Sequence, residues 1–565
     1  MFSNNITTRA ATDEQRTAPA GAFKRVGVTP ATALRRYRRL LACLSDVFPV
    51  RFEGRAEGEL NGLDALLAIG LRPHSLPDGL PTLLLAERSQ IESVARRVQF
   101  TCDPVLPTPL RGRSLLERAA PGAAPVGCER GDAVLASCDG VAAWWMRPAV
   151  PGTGAGARVS AFALPQLEPG QTLRAQLEPG RFMGLVPLLE LLRDVCGELG
   201  WTEPPLRAAF VIDDPNLHCS SYGFLRYREL VAHARAHGYH AALATVPLDG
   251  WLFSRRAAAL VREHAASLSL LVHGNNHVAR ELGRLTDDRD ADVAVAQALG
   301  RIERLERRAR VQVARVMAPP HGVCSETALR ALFRAGFDAA CISRPYPWLD
   351  RPPAGSPLAG WYPAEIVAGG IPVLPRYPLA AGREELTFRA LLGQPLILYG
   401  HHTDLAPGLE VLARAAADVT SLGEVHWGAP DSIARASFAT RRRGERLEVR
   451  LHARRALVSV PPGAKLLRVN MPQVHGEPLW DGLRSGGRRI ALDARPGGFF
   501  SDWLSVREGE RIELTLAGAR APSPARRRSL RPRPWPLARR VLVEGRDRLR
   551  QLLGHAPRSR AAASR

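Results

Sequence analysis

The chain reads as an α/β protein: a distorted (β/α) barrel of about seven repeats, preceded by an α/β domain and followed by a small β-sandwich. Three observations predict this. From Leu206 onward, apolar runs of strand length alternate regularly with amphipathic helical patterns over roughly 220 residues. Before that point, short apolar runs and helical segments alternate without a regular period. After Ser437 only short strand-like runs remain, each bounded by turn residues. A length of 565 residues with 45% hydrophobic content predicts several domains with real cores, and excludes a collagen, a small disulfide scaffold or a wholly disordered chain.

Residues 1–29 are polar and read as a disordered leader. The opening MFSNNITTRAATDEQRTAPAG has no apolar core, so no secretory signal is expected. Residues 30–200 read as one α/β domain of unknown role. Ala31–Val47 has a helical pattern, Leu63–Ile69, Thr82–Leu85, Ala133–Ala136 and Val159–Ala163 are strand-like, and Phe182–Leu199 reads as an amphipathic helix.

The barrel is expected over 206–436. Its strand candidates are Ala208–Ile212, Ala241–Val246, Leu268–Val272, Gln312–Met317, Ala339–Ile342, Ile371–Leu374 and Pro395–Tyr399. Phe224–His237, Val293–Arg308, Glu326–Ala335 and Gly408–Leu422 are among its helices. The sandwich-like domain is expected over 437–518, with strands at Arg446–Leu451, Ala456–Val460, Lys465–Val469, Arg489–Ala491 and Arg511–Leu516. Residues 519–565 form a basic linker followed by a candidate amphipathic helix at Leu537–Leu553.

The formal charge of +22 is concentrated at one end. From Arg520 to Arg565 fourteen arginines face only Glu544 and Asp547, so that segment holds +12 and the other 519 residues share +10. The basicity therefore belongs to a tail. That tail has no interleaved aromatics apart from Trp535, and no recognised nucleic-acid module accompanies it, which argues against nucleic acid. On Leu537–Leu553, Ala538, Leu542, Gly545, Leu549 and Leu552/Leu553 follow helical spacing while arginines lie largely elsewhere. Two readings fit: a basic amphipathic helix able to lie on an anionic membrane surface, or an exposed disordered basic extension with a marginal helix, since Gly545 weakens helix formation. Eight scattered cysteines without a CxxC pair suit reduced thiols. The resulting expectation is a cytoplasmic protein, with peripheral contact to the inner membrane face as the option that the helical reading of the tail adds.

Four segments of the barrel place polar groups where a strand ends. AAFVIDDPN runs into Asp213 and Asp214. LSLLVHGNNH ends at His273, with His277 four positions on. ARVMAPPHG ends at Pro319, Pro320 and His321, and PLILYGHHTD at His401 and His402. Singly, each has an ordinary reading as a turn, a cap or solvated histidines. Together, on the strand ends of one barrel, they surround one pocket. One carboxylate and two neutral imidazoles make an open three-ligand site for a divalent metal. A second carboxylate beside it can act as base and a further histidine as acid. That chemistry is metal-assisted hydrolysis of an amide or ester.

At these residues the sequence resembles the polysaccharide deacetylase family (carbohydrate esterase family four). Ile212–Asn216 is similar to its T-F-D-D-G-P motif, His273–His277 to H-S/T-x-x-H, Ala318–Gly322 to R-x-P-Y, and Leu398–His402 to the late L-x-H. The similarity spans roughly residues 206–425. It implies a distorted barrel, an acetylated carbohydrate or glycoconjugate as substrate, and acetate as product. Asp213 would be the general base, and Asp214, His273 and His277 would bind the metal, most often Zn2+. His401 would be the general acid, with His402 the competing choice. Asn216, Pro320, His321 and Tyr399 would contact substrate. The sequence departs from the family at two motif-three positions, with Ala318 in place of the arginine that tethers the catalytic aspartate and His321 in place of the tyrosine. A catalytically inactive carbohydrate-binding or scaffolding relative in polysaccharide biosynthesis is therefore the alternative reading.

Overall fold

The computed structural model describes residues 23–70, 79–87, 94–120, 128–148, 156–343, 356–472, 474, 477–495, 497–518 and 534–552. The expected disorder of residues 1–22, the linker at 519–533 and the end of the tail fall outside them.

The first nine strands form one mixed sheet. They are β1 (Lys24–Thr29), β2 (Val50–Gly54), β3 (Ala65–Ile69), β4 (Thr82–Ala86), β5 (Val94–Phe100), β6 (Ser114–Ala120), β7 (Ala133–Cys138), β8 (Val141–Arg147) and β9 (Ala157–Ala163), in the order β2-β1-β3-β4-β9-β8-β7-β5-β6. The ladders from β2 to β9 are parallel and the remainder antiparallel. The strand β1 corrects the sequence reading, which put these residues in a leader. KRVGVT has only two large apolar side chains, Val26 and Val28, but both are fully buried between two parallel neighbours.

The helix expected over Ala31–Val47 is broken at Tyr37 into α1 (Ala31–Arg36) and α2 (Arg38–Val47). The helix expected over Phe182–Leu199 is shorter, α3 (Val186–Cys196). Its apparent first turn is held otherwise: the backbone N–H groups of Phe182 and Met183 both donate to the buried Glu117 carboxylate, at 2.7 and 2.9 Å.

The barrel strands are β10 (Leu206–Asp213), β11 (Ala241–Thr245), β12 (Leu268–Val272), β13 (Ala314–Met317), β14 (Ala339–Ile342), β15 (Ile371–Pro378) and β16 (Leu396–His401). Each pairs in parallel with the next, and β16 returns to β10, so seven strands close a barrel. A register shift between β12 and β13 distorts the ring.

Helices α4 (Tyr227–His237), α5 (Arg255–Glu263), α6 (Asp288–Ala309), α7 (Glu326–Arg334), α8 (Arg383–Leu391) and α9 (Glu410–Thr420) connect the strands. Strand alternation separates two layers. Small inward residues, Ala209, Val211, Ala242, Ala244, Ala318, Ala339 and Cys341, fill the barrel. Ala208, Phe210 and Ile212 face outward into the larger core. Asp213 continues the inward row of Ala209 and Val211, and so arrives at the rim pointing at the barrel axis.

Beyond the barrel lie two mainly antiparallel sheets. One contains Phe438–Arg443, Arg446–Leu451, Leu466–Met471 and Gly498–Phe500; the other is built around Arg455–Ser459, Arg511–Gly518 and Trp480–Ser485. The last helix, α10 (Pro534–Leu552), lies across the rim of the barrel. No helix among the described residues is long and apolar enough to cross a membrane.

Candidate metal and catalytic site

The four strand ends identified in the sequence meet at one rim. Asp214, His273 and His277 each offer a ligand atom, all within 4.8 Å of one another. His277 Nε2 is 2.8 Å and His273 Nε2 3.6 Å from Asp214 Oδ1. The loops that carry them are conformationally unusual. Asp214 has φ 82° and His277 φ 55°, in the left-handed region that non-glycine residues seldom adopt, and such geometry persists where the surroundings impose it. Gly274 is needed for close approach: with φ 63°, a Cβ there would lie 2.4 Å from Glu281 Oε1 and 2.6 Å from Pro320.

Two side chains, the half-buried Glu281 and the buried Arg301, hold the His273–His277 loop. Glu281 Oε1 accepts from the backbone N–H groups of Asn275, Asn276 and His277 at 2.7, 3.1 and 3.0 Å. From α6, Arg301 Nη1 donates to Asn275 Oδ1 at 2.7 Å and Asn276 Oδ1 at 2.9 Å.

The donor set fits a divalent metal. His273 Nδ1 lies 2.8 Å from the Ala318 carbonyl, which can only accept, so that nitrogen carries the proton and Nε2 presents its lone pair to the centre. Burial pulls the His273 pKa down to about 4, keeping the ring neutral, as a ligand must be. Burial also works against the Asp214 charge, but His277, His273 and Arg540 outweigh it and hold the carboxyl well below the usual carboxylate range. Despite this crowding, Asp214 Oδ1 is buried without an aligned hydrogen bond; the 2.8 Å approach of His277 is a contact lacking that geometry. An oxygen so placed is suited to a cation.

Asp213 is 2% exposed, and its Oδ1 accepts from Arg376 Nη1 at 2.7 Å. Burial raises its pKa, and Arg376, His273 and His401 more than offset this, so the carboxyl is held ionised below its ordinary value. Arg376 reaches from β15, with its guanidinium 4.4 Å from the centre of the Tyr399 ring. The motif-three departure at Ala318 therefore does not leave the aspartate without an arginine. In the sequence Arg376 carries no signal, since it lies in LPRYP, beyond the apolar run Ile371–Leu374 and outside the four motifs.

His401 and His402 have separate surroundings. His401 is the Cα partner of Asp213 in the β10–β16 ladder; its side chain is about half exposed, and its backbone N–H donates to Asp404 Oδ2 at 2.8 Å. His402 is buried, set edge-on to Tyr222 with ring centres 5.2 Å apart, and its Nε2 is 3.4 Å from Asp547 Oδ2 on α10. Of the expected substrate contacts, His321 stands beside the site with its ring centre 6.1 Å from that of His277, and Pro320 is buried beneath it. Tyr399 flanks Arg376. Asn216 is turned elsewhere: it is buried and donates through Nδ2 to Glu544 Oε2 at 3.0 Å.

The sequence reading missed the cover over this site. Arg540 on α10 is 2% exposed and donates to the Asp214 carbonyl at 2.6 Å and, through Nε, to Asp249 Oδ2 at 2.8 Å. Its Nη1 lies 3.9 Å from Asp214 Oδ1 and has no hydrogen bond. Arg539 donates to the His277 carbonyl. Glu544 lies 3.1 Å from His218 Nδ1, while His218 Nε2 lies 3.1 Å from the Asp249 carbonyl. The polar face of one helix thus touches the first, second and last motifs. The tail arginines were legible, but their spatial neighbours, more than 250 residues away, were not.

No protein-family model matches the sequence, and no curated protein matches it. Among solved structures, a family four carbohydrate esterase from Streptomyces lividans is 14% identical, covering 40% of this chain and 94% of that one, with a TM-score of 0.25. A family four pseudoenzyme from Bacillus anthracis is 12% identical over 39% of this chain and 63% of its own, at a TM-score of 0.25. A family four esterase from Streptococcus mutans is 14% identical over 40% and 87%, at 0.24. Similarity this slight leaves the functional reading to the side chains themselves.

Proposed function

We propose that this protein is a metal-dependent hydrolase that removes acetyl groups, N-linked in the first instance, from a carbohydrate or glycoconjugate. The observation that carries the reading is one barrel rim on which the Asp214/His273/His277 donor set adjoins Asp213, itself held by Arg376. A divalent cation bound there, Zn2+ for one carboxylate and two imidazoles, supplies Lewis-acid polarisation of the acyl carbonyl and lowers the pKa of water.

The chain's residues do the rest. Asp213, ionised and fixed by Arg376, takes the proton of the attacking water. His401, the one of the two adjacent histidines that neighbours Asp213 across the ladder, returns a proton to the leaving nitrogen. Water is consumed, the C–N bond breaks, and acetate and the free amine result. His321, Pro320 and Tyr399 flank the approach to this centre. The eight unpaired cysteines support a cytoplasmic setting.

Metal analysis of the purified full chain, coupled to an acetate-release screen over acetylated oligosaccharides, tests the reading. Expected are about one metal ion per chain and release that is lost in Asp213→Asn. Activity retained in that variant refutes the assignment.

One observation favours the second reading, a carbohydrate-binding or scaffolding relative without turnover: Arg540 brings a positive charge to within 3.9 Å of Asp214 Oδ1. Stoichiometric glycan binding without acetate release in metal-loaded protein would establish it.

A further inference from the structure

A helix packed on a globular protein normally buries its apolar stripe and shows its polar side to water. Helix α10 does the reverse. Arg540, Glu544 and Asp547, spaced four and three apart, face the barrel, and Arg540 and Asp547 are buried there. The opposite stripe, Trp535, Ala538, Leu542, Gly545 and Leu549, faces out. Trp535 is 68%, Leu542 70% and Leu549 56% exposed, and Val541 beside them 63%. These are the most exposed large apolar side chains of the described residues together with Leu252 at 66%. Water-facing apolar area is unfavourable in proportion to its extent, so such a stripe calls for a cover.

Charge identifies the cover. On a helical projection Arg539 and Arg546 border one edge of the stripe. Residues 520–533, immediately before the helix, carry six arginines and no acid. An apolar stripe with a tryptophan at its start, bordered and preceded by arginine, matches the interface of an anionic lipid bilayer.

We infer that the outward face of α10 is a docking surface for an anionic membrane. Bound this way, the helix lies between bilayer and barrel, and the metal site sits about one helix diameter, ~10 Å, from the headgroups. Resting on the hydrolase reading, this narrows the substrate class to a saccharide carried on a lipid, with the acetylated sugar near the membrane surface.

Co-sedimentation of the full chain with vesicles tests the surface without any assay of activity. Binding to vesicles containing phosphatidylglycerol, and at least ~tenfold weaker binding of a Trp535→Glu/Leu542→Glu/Leu549→Glu variant, is the expected result. None of these side chains reaches the metal site, so acetate release from a soluble acetylated oligosaccharide should be unchanged in the variant. Release from an acetylated amino-sugar glycolipid in the same vesicles should fall with binding. No binding by the wild-type chain, or equal binding by the variant, overturns the inference. A wild-type dimer that the same substitutions dissociate overturns it as well, because a second copy then covers the stripe. Vesicle binding without release from either substrate would leave the surface standing, and would refute the hydrolase reading and the lipid-linked substrate with it.

Discussion

Arg376 and Asp213 are joined at 2.7 Å in the barrel interior, with both side chains almost wholly buried. The arginine comes from β15, whereas position 318, where the motif resemblance led it to be expected, is alanine.

Removing Arg376 tests whether it holds Asp213 as a base. Its loss leaves an uncompensated buried carboxylate, a defect of ~3–5 kcal/mol when one partner of a buried pair is deleted. Arg376 depresses the Asp213 pKa, so in Arg376→Met that pKa rises and the base is ionised only at higher pH. The acidic limb of the rate profile should therefore move upward, and turnover at neutral pH should fall ~100-fold or more. Arg376→Lys, which keeps the charge, should restore part of the limb. An unchanged acidic limb in a folded Arg376→Met variant contradicts a tethering role.

The metal set predicts a ligand-linked stability. A cation that binds only the folded chain adds RT ln(1 + [L]/Kd), ~2.7 kcal/mol at a hundredfold excess over Kd. Thermal unfolding of the wild-type chain should shift upward with Zn2+, and removal of the ion by a chelator should reverse the shift. His277→Ala and Asp214→Asn should unfold at a temperature indifferent to the metal. A variant that still responds in full would take that residue out of the donor set.

His401 and His402 should separate cleanly. His401→Ala is expected to slow acetate release by ~100- to 10,000-fold while leaving metal content intact. His402→Ala removes a partner of Asp547 and should instead loosen α10, seen as faster proteolysis of the tail. If the two phenotypes came out exchanged, the proton donor would be His402.

The seven barrel strands were legible because parallel barrel strands are buried on both faces and read as continuous apolar runs; all seven fall where the pattern put them. Strands such as Val94–Phe100, VARRVQF, were not, because the adjacent Arg96 and Arg97 break the apolar pattern and pairing with two neighbouring strands makes the segment extended. The site divides in the same way. Asp213, Asp214, His273 and His277 stand at strand ends within short motifs, whereas Arg376 and Arg540 act across the fold from unremarkable local sequence. The pattern of α10 gives a helix with an apolar stripe, but not the barrel residues that its polar face meets, which lie more than 250 positions away.

The docking of α10 should depend on pH through His218 and Glu544. Burial disfavours both charges, but their mutual contact, with Asp249 helping on one side and Arg548 on the other, raises the His218 pKa and lowers that of Glu544 to about 2. The signs differ. A depressed carboxylate contributes stability above its free value near 4.5 and loses it as pH falls towards 2. A raised histidine contributes fully below 6.5 and loses its share as pH climbs through its docked value. The tail should therefore be held most firmly between about pH 5 and 6.5 and loosen on the alkaline side. Protease cleavage of the tail, followed at fixed ionic strength, should be slower at pH 6 than at pH 8.5, and His218→Ala should abolish that difference. Added salt should speed cleavage at both pH values, since the contacts are largely ionic. Cleavage that proceeds equally at pH 6 and pH 8.5 in the wild-type chain would mean that the His218–Glu544 pair contributes nothing to holding the helix.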